Sequence, residues 1–278
     1  MTRSTLRSFS SALFLLALQT AAFSAPKPPT AETLQQALRQ SATALLRQPG
    51  GELLGSAVIV AKAKAGYWLA TNRHVVRDTS EVCVVTSDRK ASAATVLGAP
   101  ANSRTPDLDL AFVWLPANDQ QLIVAEPKPF DPKVDPIPLV VATGYPVSEL
   151  PSQDGPNYSE KEGLLLPLLE RPLQGGFQLT YTASVTPGMS GGGIFQDGAL
   201  IGINGAHSDP LWAGHWSYLN GQQVPNALDQ KLDLLSLGIP ADAIIRQLGG
   251  LLPPSDLSKL KANEWCTPKV QTATGTKQ

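Results

Sequence analysis

Short apolar runs separated by turn residues recur along this chain of 278 residues. Runs of this length bounded by Gly, Pro, Asn, Asp or Ser predict β-strands. Many short strands at this spacing favour an all-β barrel or sandwich over alternating strands and helices. The strands are predicted at residues 67–70, 81–86, 94–97, 110–115, 139–143, 177–181, 192–195 and 199–203.

Gln196-Asp197-Gly198 separates the last two runs and predicts a tight hairpin turn, because glycine accepts the positive φ that such a turn requires. Another hairpin is predicted from residues 42–46 to residues 56–60, with Pro49-Gly50-Gly51 as its turn. Thr30 is a candidate cap for a short helix ending near Gln40, and a helix continuing to Arg47 competes with the first strand of this hairpin.

A closing helix is predicted over residues 238–248, with Ala243, Ile244, Ile245 and Leu248 on its buried side. Residues 148–174 and 207–224 are predicted as long surface loops, either binding elements or flexible decoration. We expect a poorly ordered tail over residues 251–278.

Residues 1–25 have the composition of a signal peptide. Arg3 and Arg7 precede an apolar stretch over residues 12–22, and small residues suited to cleavage follow at Ser24 and Ala25. The stretch is shorter than the roughly 20 residues of a membrane-spanning helix, although a retained anchor is the alternative. We therefore expect an exported mature protein, periplasmic or extracellular, without an integral membrane segment.

The charge of the chain bears on the partners that it could bind. The net charge is -1 and no block of like charges occurs, which does not favour nucleic-acid binding.

The only cysteines are Cys83 and Cys266. Export would allow them to form a disulfide, but two independent thiols are equally compatible with the sequence.

Three polar residues lie at positions suited to nucleophilic catalysis. His74 follows an apolar strand, and Asp109, two residues after Asp107, immediately precedes another. Ser190 lies in the glycine-rich segment 187–193, where a tight turn could expose its hydroxyl and aim backbone N–H groups at an oxyanion. Each feature is weak alone, but the order His, Asp, Ser is that of the chymotrypsin triad.

The sequences around these residues resemble those of trypsin-like and high-temperature-requirement bacterial serine proteases. TNRHVV at residues 71–76 is similar to their histidine motif, and DLAF at residues 109–112 to their aspartate motif. Residues 180–205, TYTASVTPGMSGGGIFQDGALIGING, resemble their serine motif and the hairpin that follows it. The similarity extends over about residues 41–250 and is strongest to secreted bacterial trypsin-like peptidases.

This resemblance implies two six-stranded antiparallel β-barrels, a chymotrypsin-like double barrel, with short N- and C-terminal helices. The first barrel would cover about residues 41–125 and the second about residues 126–250, after a spacer and short helix at residues 26–40. No PDZ domain would follow. The implied activity is peptide-bond hydrolysis through an acyl-enzyme, with a protein or peptide substrate and no cofactor or metal.

The resemblance also assigns supporting residues. The N–H groups of Gly188 and Ser190 would form the oxyanion hole. Ser184 would lie at the base of the primary specificity pocket, and Asn204, Gly205 and Ala206 would line its wall. An uncharged base favours a small or apolar substrate side chain.

One departure from the digestive enzymes concerns the residue before the nucleophile. They carry an aspartate there, which pairs with the new N-terminus on activation, whereas this chain has Met189. Other contacts must therefore hold the turn.

Rival hypotheses remain at this stage. A domain of the same fold could bind peptides without cleaving them, and a secreted structural domain is a further alternative. A metal-dependent hydrolase would need His74, His207 and His215, whose spacing does not match a helical zinc motif. The sequence leaves the oligomeric state open.

Overall fold

The computed structural model describes residues 29–97, 108–118, 120–131, 137–147, 157–206, 215–254 and residue 266. In its first half, six antiparallel strands pair in the order β1-β2-β3-β6-β5-β4 and close into a barrel. These strands are β1 (Thr43–Arg47), β2 (Leu53–Ala63), β3 (Gly66–Thr71), β4 (Glu81–Val85), β5 (Ala91–Leu97) and β6 (Ala111–Pro116).

The second half forms another six-stranded antiparallel sheet, in the order β8-β7-β10-β11-β12-β9. Its two edges meet at an isolated bridge between Leu165 and Tyr181, so the sheet curls into a second barrel. The predicted double barrel is therefore confirmed. Its strands are β7 (Leu139–Gly144), β8 (Ser159–Leu164), β9 (Leu179–Tyr181), β10 (Gly193–Gln196), β11 (Ala199–Ala206) and β12 (Ser236–Pro240).

Strand alternation explains how the barrels pack together. In β2, Ala57 and Ile59 belong to the core inside the first barrel, whereas Val58 and Val60 belong to a different cluster. That second cluster also contains Phe195 and Ile203 from the second barrel. Because successive side chains point to opposite faces of a strand, β2 contributes apolar side chains to both clusters.

A short helix, α1 (Ala31–Ala42), precedes the first barrel. Thr30 caps it as expected, since the Thr30 hydroxyl accepts the N–H of Thr33 at 3.2 Å. The helix ends where β1 begins, so the alternative of a helix continuing to Arg47 is wrong. Arg39 of α1 is buried and paired with Glu160 of β8 at 2.8 Å, which fastens the helix to the second barrel.

Two predictions of secondary structure need correction. Two short helices, α2 (Arg73–Val76) and α3 (Asn226–Leu232), precede the closing helix, α4 (Ala241–Leu248). The closing helix starts three residues later than expected, because residues 238–240 belong to β12 and pair with β11. Within α4, Ala243 and Ile244 are buried but Ile245 is 39% exposed. The predicted loop over residues 148–174 contains β8, a strand rich in charged residues.

Cys83 of β4 forms a disulfide with Cys266, which answers the question that the sequence left open. In the described residues no helix has the length and apolarity needed to cross a membrane. The predicted signal peptide lies outside the described residues, as do Asp107, His207 and all of the C-terminal tail beyond residue 254 except Cys266.

Candidate active site

His74 and Asp109 form a close pair at the edge of the first barrel. His74 lies in the short helix α2 (Arg73–Val76), directly after β3, and Asp109 lies two residues before β6. The distance from His74 Nδ1 to Asp109 Oδ2 is 2.7 Å, and the backbone N–H of His74 donates to Asp109 Oδ1 at 2.9 Å. A carboxylate only accepts, so Nδ1 carries the proton and Nε2 of the neutral ring is an acceptor.

Backbone hydrogen bonds hold Asp109 against the start of α2. Its carbonyl accepts from the N–H of Arg73 at 3.2 Å and from the Asn72 side-chain amide at 3.1 Å. Its own N–H donates to the carbonyl of Gly175 at 2.9 Å. The pair is therefore fixed at both the carboxylate and the main chain, which limits rotation of the imidazole.

Ser190 lies in a turn that requires glycine on both sides. Gly188 has φ of 94° and Gly191 has φ of 83°, values that a residue with a Cβ rarely adopts. A Cβ at Gly188 would lie 2.4 Å from the Tyr145 carbonyl oxygen, and one at Gly191 would lie 2.2 Å from the Ser56 carbonyl oxygen. The glycine-rich sequence thus lets the backbone of this turn pack closely against both barrels.

Successive carbonyl groups of the turn are bonded to the body of the protein. The Pro187 carbonyl accepts the N–H of Val147 at 2.9 Å, and the Gly188 carbonyl accepts the Ser56 hydroxyl at 2.8 Å. The same hydroxyl accepts the N–H of Tyr145 at 2.9 Å. Ser56 therefore links the turn to the loop that follows β7.

The remaining polar groups of the turn divide into bonded and unbonded ones. The Met189 carbonyl accepts the Asn204 side-chain amide at 3.2 Å and the N–H of Gly192 at 3.0 Å. In the described part of the chain, the N–H groups of Gly188 and Ser190 donate to no acceptor. In a trans peptide the N–H points away from the carbonyl of the preceding residue. Bonding of the Pro187 and Met189 carbonyls to the protein therefore turns these two N–H groups outward.

The Ser190 turn and the His74 helix meet across Gly55 of β2. A Cβ at Gly55 would lie 3.0 Å from the Val75 side chain and 3.2 Å from the Ser190 carbonyl oxygen. That carbonyl also accepts the N–H of Ser56 at 2.9 Å. Within the described residues, the Ser190 hydroxyl has one partner, the Gly205 carbonyl at 3.5 Å, and it makes no hydrogen bond to His74.

This arrangement of barrels and motifs is that of a known family. Residues 55–203 match the model of the trypsin-like peptidase domain. The chain belongs to the trypsin-like peptidase family. The match includes His74, Asp109 and Ser190, and it spans strands of both barrels.

Solved structures share the fold of this peptidase domain. A variant of the HtrA-type protease AlgW with a tripeptide is 20% identical, with a TM-score of 0.53 over 78% of this chain and 62% of that one. The serine endoprotease from Yersinia pestis is 22% identical, with a TM-score of 0.53 over 81% of this chain and 67% of that one. No curated protein sequence matches significantly. The chain thus spans about two thirds of the length of these proteases, and at such identities the likeness concerns the fold.

The residues predicted to line the specificity pocket have different environments in the peptidase domain. Ser184 is exposed, after β9. Gly205 and Ala206 lie at the end of β11, and Phe177 packs so closely on Gly205 that a Cβ there would lie 2.1 Å from its ring. Asn204 is fully buried, and its backbone and side chain are all bonded internally. Its place in the pocket wall stays a prediction.

The residues that hold the turn of this domain carry little signal in the sequence. Ser56 is fully buried in β2, and neither its position nor its neighbours in the sequence distinguish it from other serines. Tyr181 and Asn204 lie inside the serine motif, but their contact depends on the pairing of β9 and β11 with β12. In the described ranges, no group of three or more His, Cys, Asp or Glu side chains could hold a metal ion.

Proposed function

We propose that the protein is a serine endopeptidase in which Ser190 is the nucleophile, His74 the general base and Asp109 the group that orients the imidazole. His74 Nε2 accepts the proton of Ser190 as the hydroxyl oxygen attacks a peptide carbonyl. The protonated ring then donates that proton to the leaving amine, and water hydrolyses the acyl-enzyme by the same route. No metal or organic cofactor enters these steps.

One observation carries this proposal: the turn of Ser190 meets, across Gly55, the helix of the carboxylate-bound His74, and two N–H groups of the turn have no acceptor among the described residues. Because Gly188 and Ser190 are only half-buried, a substrate carbonyl oxygen could reach these two donors. Donors from Gly188 and Ser190 would stabilise the oxyanion that forms on the substrate carbonyl. Removing a single such donor costs about 10²- to 10³-fold in kcat in other proteases.

The approach of Ser190 to His74 is the remaining requirement. A hydroxyl bonded at 3.5 Å to the Gly205 carbonyl is held weakly, and rotation about one side-chain bond can redirect it. Catalytic hydrogen bonds are often long before substrate binds and shorten in the complex. Substrate entry would therefore complete the triad.

Substrate would bind as an extended peptide along the end of β11. Gly205 and Ala206 lie there, and their main chain would pair with the substrate as an added strand. Ser184, exposed and uncharged, would form the base of the pocket for the residue before the cleaved bond. We expect a small or apolar side chain at that position. The tripeptide in the AlgW variant is in keeping with a peptide ligand.

Export of the enzyme is part of the proposal. Residues 1–25 have the composition of a signal peptide, and the disulfide between Cys83 and Cys266 suits an oxidising compartment. Mass analysis of the protein from an exporting host should show cleavage after Ser24 or Ala25 and no free thiol.

A second candidate function is a domain that binds peptides without cleaving them. The observation that favours it is the Ser190 hydroxyl, which is bonded to Gly205 and not to His74. A denatured protein substrate and a fluorogenic peptide library, incubated with the mature protein and with Ser190→Ala, separate the two candidates. The protease cleaves both substrates only with Ser190 present. Saturable peptide binding that is equal in the two proteins, with no cleavage, would establish the binding domain.

A further inference from the structure

Asn204 lies directly behind the nucleophile turn, with no access to solvent. Its side-chain amide donates to the Thr143 carbonyl at 2.8 Å and to the Met189 carbonyl at 3.2 Å, and its Oδ1 accepts the Tyr181 hydroxyl at 2.8 Å. A buried amide with both donor hydrogens and its oxygen bonded is fully satisfied. Its position is therefore fixed on three sides.

The carbonyls of Thr143 and Met189 determine which way this amide faces, because a carbonyl oxygen only accepts. Rotating the amide by half a turn would direct its oxygen at two carbonyl oxygens and its NH₂ group at the tyrosine. Burial raises the pKa of Tyr181 well above its usual range, so the phenol keeps its proton and anchors the amide oxygen by donating to it. The NH₂ group consequently stays directed at the carbonyls of Thr143 and Met189.

The Met189 carbonyl belongs to the peptide whose N–H is that of Ser190. Because this peptide is planar and trans, holding its carbonyl inward directs the Ser190 N–H outward. Met189 itself cannot fix the turn through charge, since its side chain is apolar and fully buried in the second barrel. The Met189 carbonyl is instead held by a hydrogen bond from the neutral amide of Asn204.

We propose that Asn204 is a positioning residue that, anchored by Tyr181, holds the Met189–Ser190 peptide with its N–H directed at the substrate oxyanion. This inference rests on the proposed peptidase activity. Asn204 acts through the Ser190 peptide and does not touch substrate, so its loss should affect the transition state more than the bound substrate.

Asn204→Ala should lower kcat by about 10- to 100-fold with KM changed by less than about threefold, since an oxyanion donor is displaced but not deleted. Affinity for a peptide aldehyde, whose hemiacetal oxygen occupies the oxyanion site, should fall in parallel. Unchanged kcat and aldehyde affinity in a folded variant would overturn the inference.

Tyr181→Phe tests the same inference without emptying the space of the amide. It should lower kcat by about 3- to 10-fold, because the buried amide oxygen loses the donor that anchors it. The matched control is Tyr67→Phe, since Tyr67 is also fully buried and its hydroxyl donates at 3.1 Å to the Gln120 carbonyl in the first barrel. Tyr67→Phe should lower the melting temperature but leave kcat within about twofold.

Equal kcat losses in the two tyrosine variants would overturn the inference, because the effect would then be one of general stability. The comparison of Tyr181→Phe with Tyr67→Phe tests the inference even if Asn204→Ala does not fold. An inactive wild type would reject the proposed function itself, and with it the inference. An active wild type with fully active Tyr181→Phe would reject the inference alone.

Discussion

The described chain contains two histidine–aspartate pairs with almost the same geometry. His74 Nδ1 lies 2.7 Å from Asp109 Oδ2, and His215 Nδ1 lies 2.6 Å from Asp229 Oδ2. Each aspartate also accepts a backbone N–H through its other oxygen, from His74 itself at 2.9 Å and from Trp216 at 2.8 Å. Distances within the pairs therefore do not distinguish them.

The surroundings of the two pairs differ. His74 lies in the helix that meets the Ser190 turn across Gly55, and its side chain is 39% exposed. His215 is 65% exposed, and its aspartate belongs to helix α3 (Asn226–Leu232). The second pair fastens the segment at residues 215–216 to that helix. The difference teaches that an aspartate-bound histidine becomes a candidate base only where a nucleophile and oxyanion donors accompany it.

The largest expected difference between the pairs is in turnover. Ser190→Ala and His74→Ala should each lower kcat by about 10⁵- to 10⁶-fold, and the double variant should be no worse, because the residues act as a unit. His215→Ala should keep kcat within about twofold. Steady-state hydrolysis of one fluorogenic peptide by the wild type and the four variants measures this. Comparable losses of kcat in His74→Ala and His215→Ala would show that the two pairs do not differ in function, which contradicts the account.

The second-largest expected difference in kcat is between substitutions of the two aspartates. Asp109→Asn should lower kcat by about 10⁴-fold, since an amide no longer stabilises the imidazolium or holds the required tautomer. Asp229→Asn is the matched change in the other pair and should leave kcat near the wild-type value. Full activity of Asp109→Asn would remove Asp109 from the mechanism.

Acidification should also reveal which histidine matters. A protonated His74 cannot accept the Ser190 proton, so kcat/KM should fall by about tenfold per pH unit on the acid side. The wild type and His215→Ala should have superimposable profiles. A profile that is flat down to about pH 4 would contradict a histidine base, and one displaced in His215→Ala would implicate the second pair.

The smallest effect expected is on stability. Asp229→Ala removes two hydrogen bonds to a carboxylate whose side chain is 8% exposed, while the partner histidine is well solvated. It should lower the free energy of unfolding by about 1–2 kcal/mol without changing kcat. Urea denaturation measures the loss. A stability equal to the wild type would show that this pair does not fasten its segment.

Features that depend on local sequence could be predicted. Asp197 and Gly198 have φ of 48° and 77°, so the turn between β10 and β11 has the two positive φ values that the Asp-Gly pair favours. Thr30 caps α1 through its own hydroxyl. The order of His74, Asp109 and Ser190 likewise predicted that His and Asp lie on the first barrel and Ser on the second.

Features that depend on tertiary contacts could not be predicted from the sequence. Strand β8, SEKEGL, lacks the apolar alternation by which a strand is recognised, and its pairing with β7 and the ion pair to Arg39 form only in the folded chain. The burial of Asn204 and its three side-chain hydrogen bonds behind the turn likewise form only in the folded chain. Ser56 is joined to Gly188 across the barrel interface, which no local pattern indicates.

The central claim is that Ser190 is an activated nucleophile, and covalent labelling tests it most directly. The mature protein, Ser190→Ala and His215→Ala would each be treated with a fluorophosphonate, and the modified peptide identified by mass spectrometry. We predict stoichiometric modification at Ser190 in the wild type and in His215→Ala, and none in Ser190→Ala. A folded wild-type protein that remains unmodified, or is modified at another residue, would contradict the account.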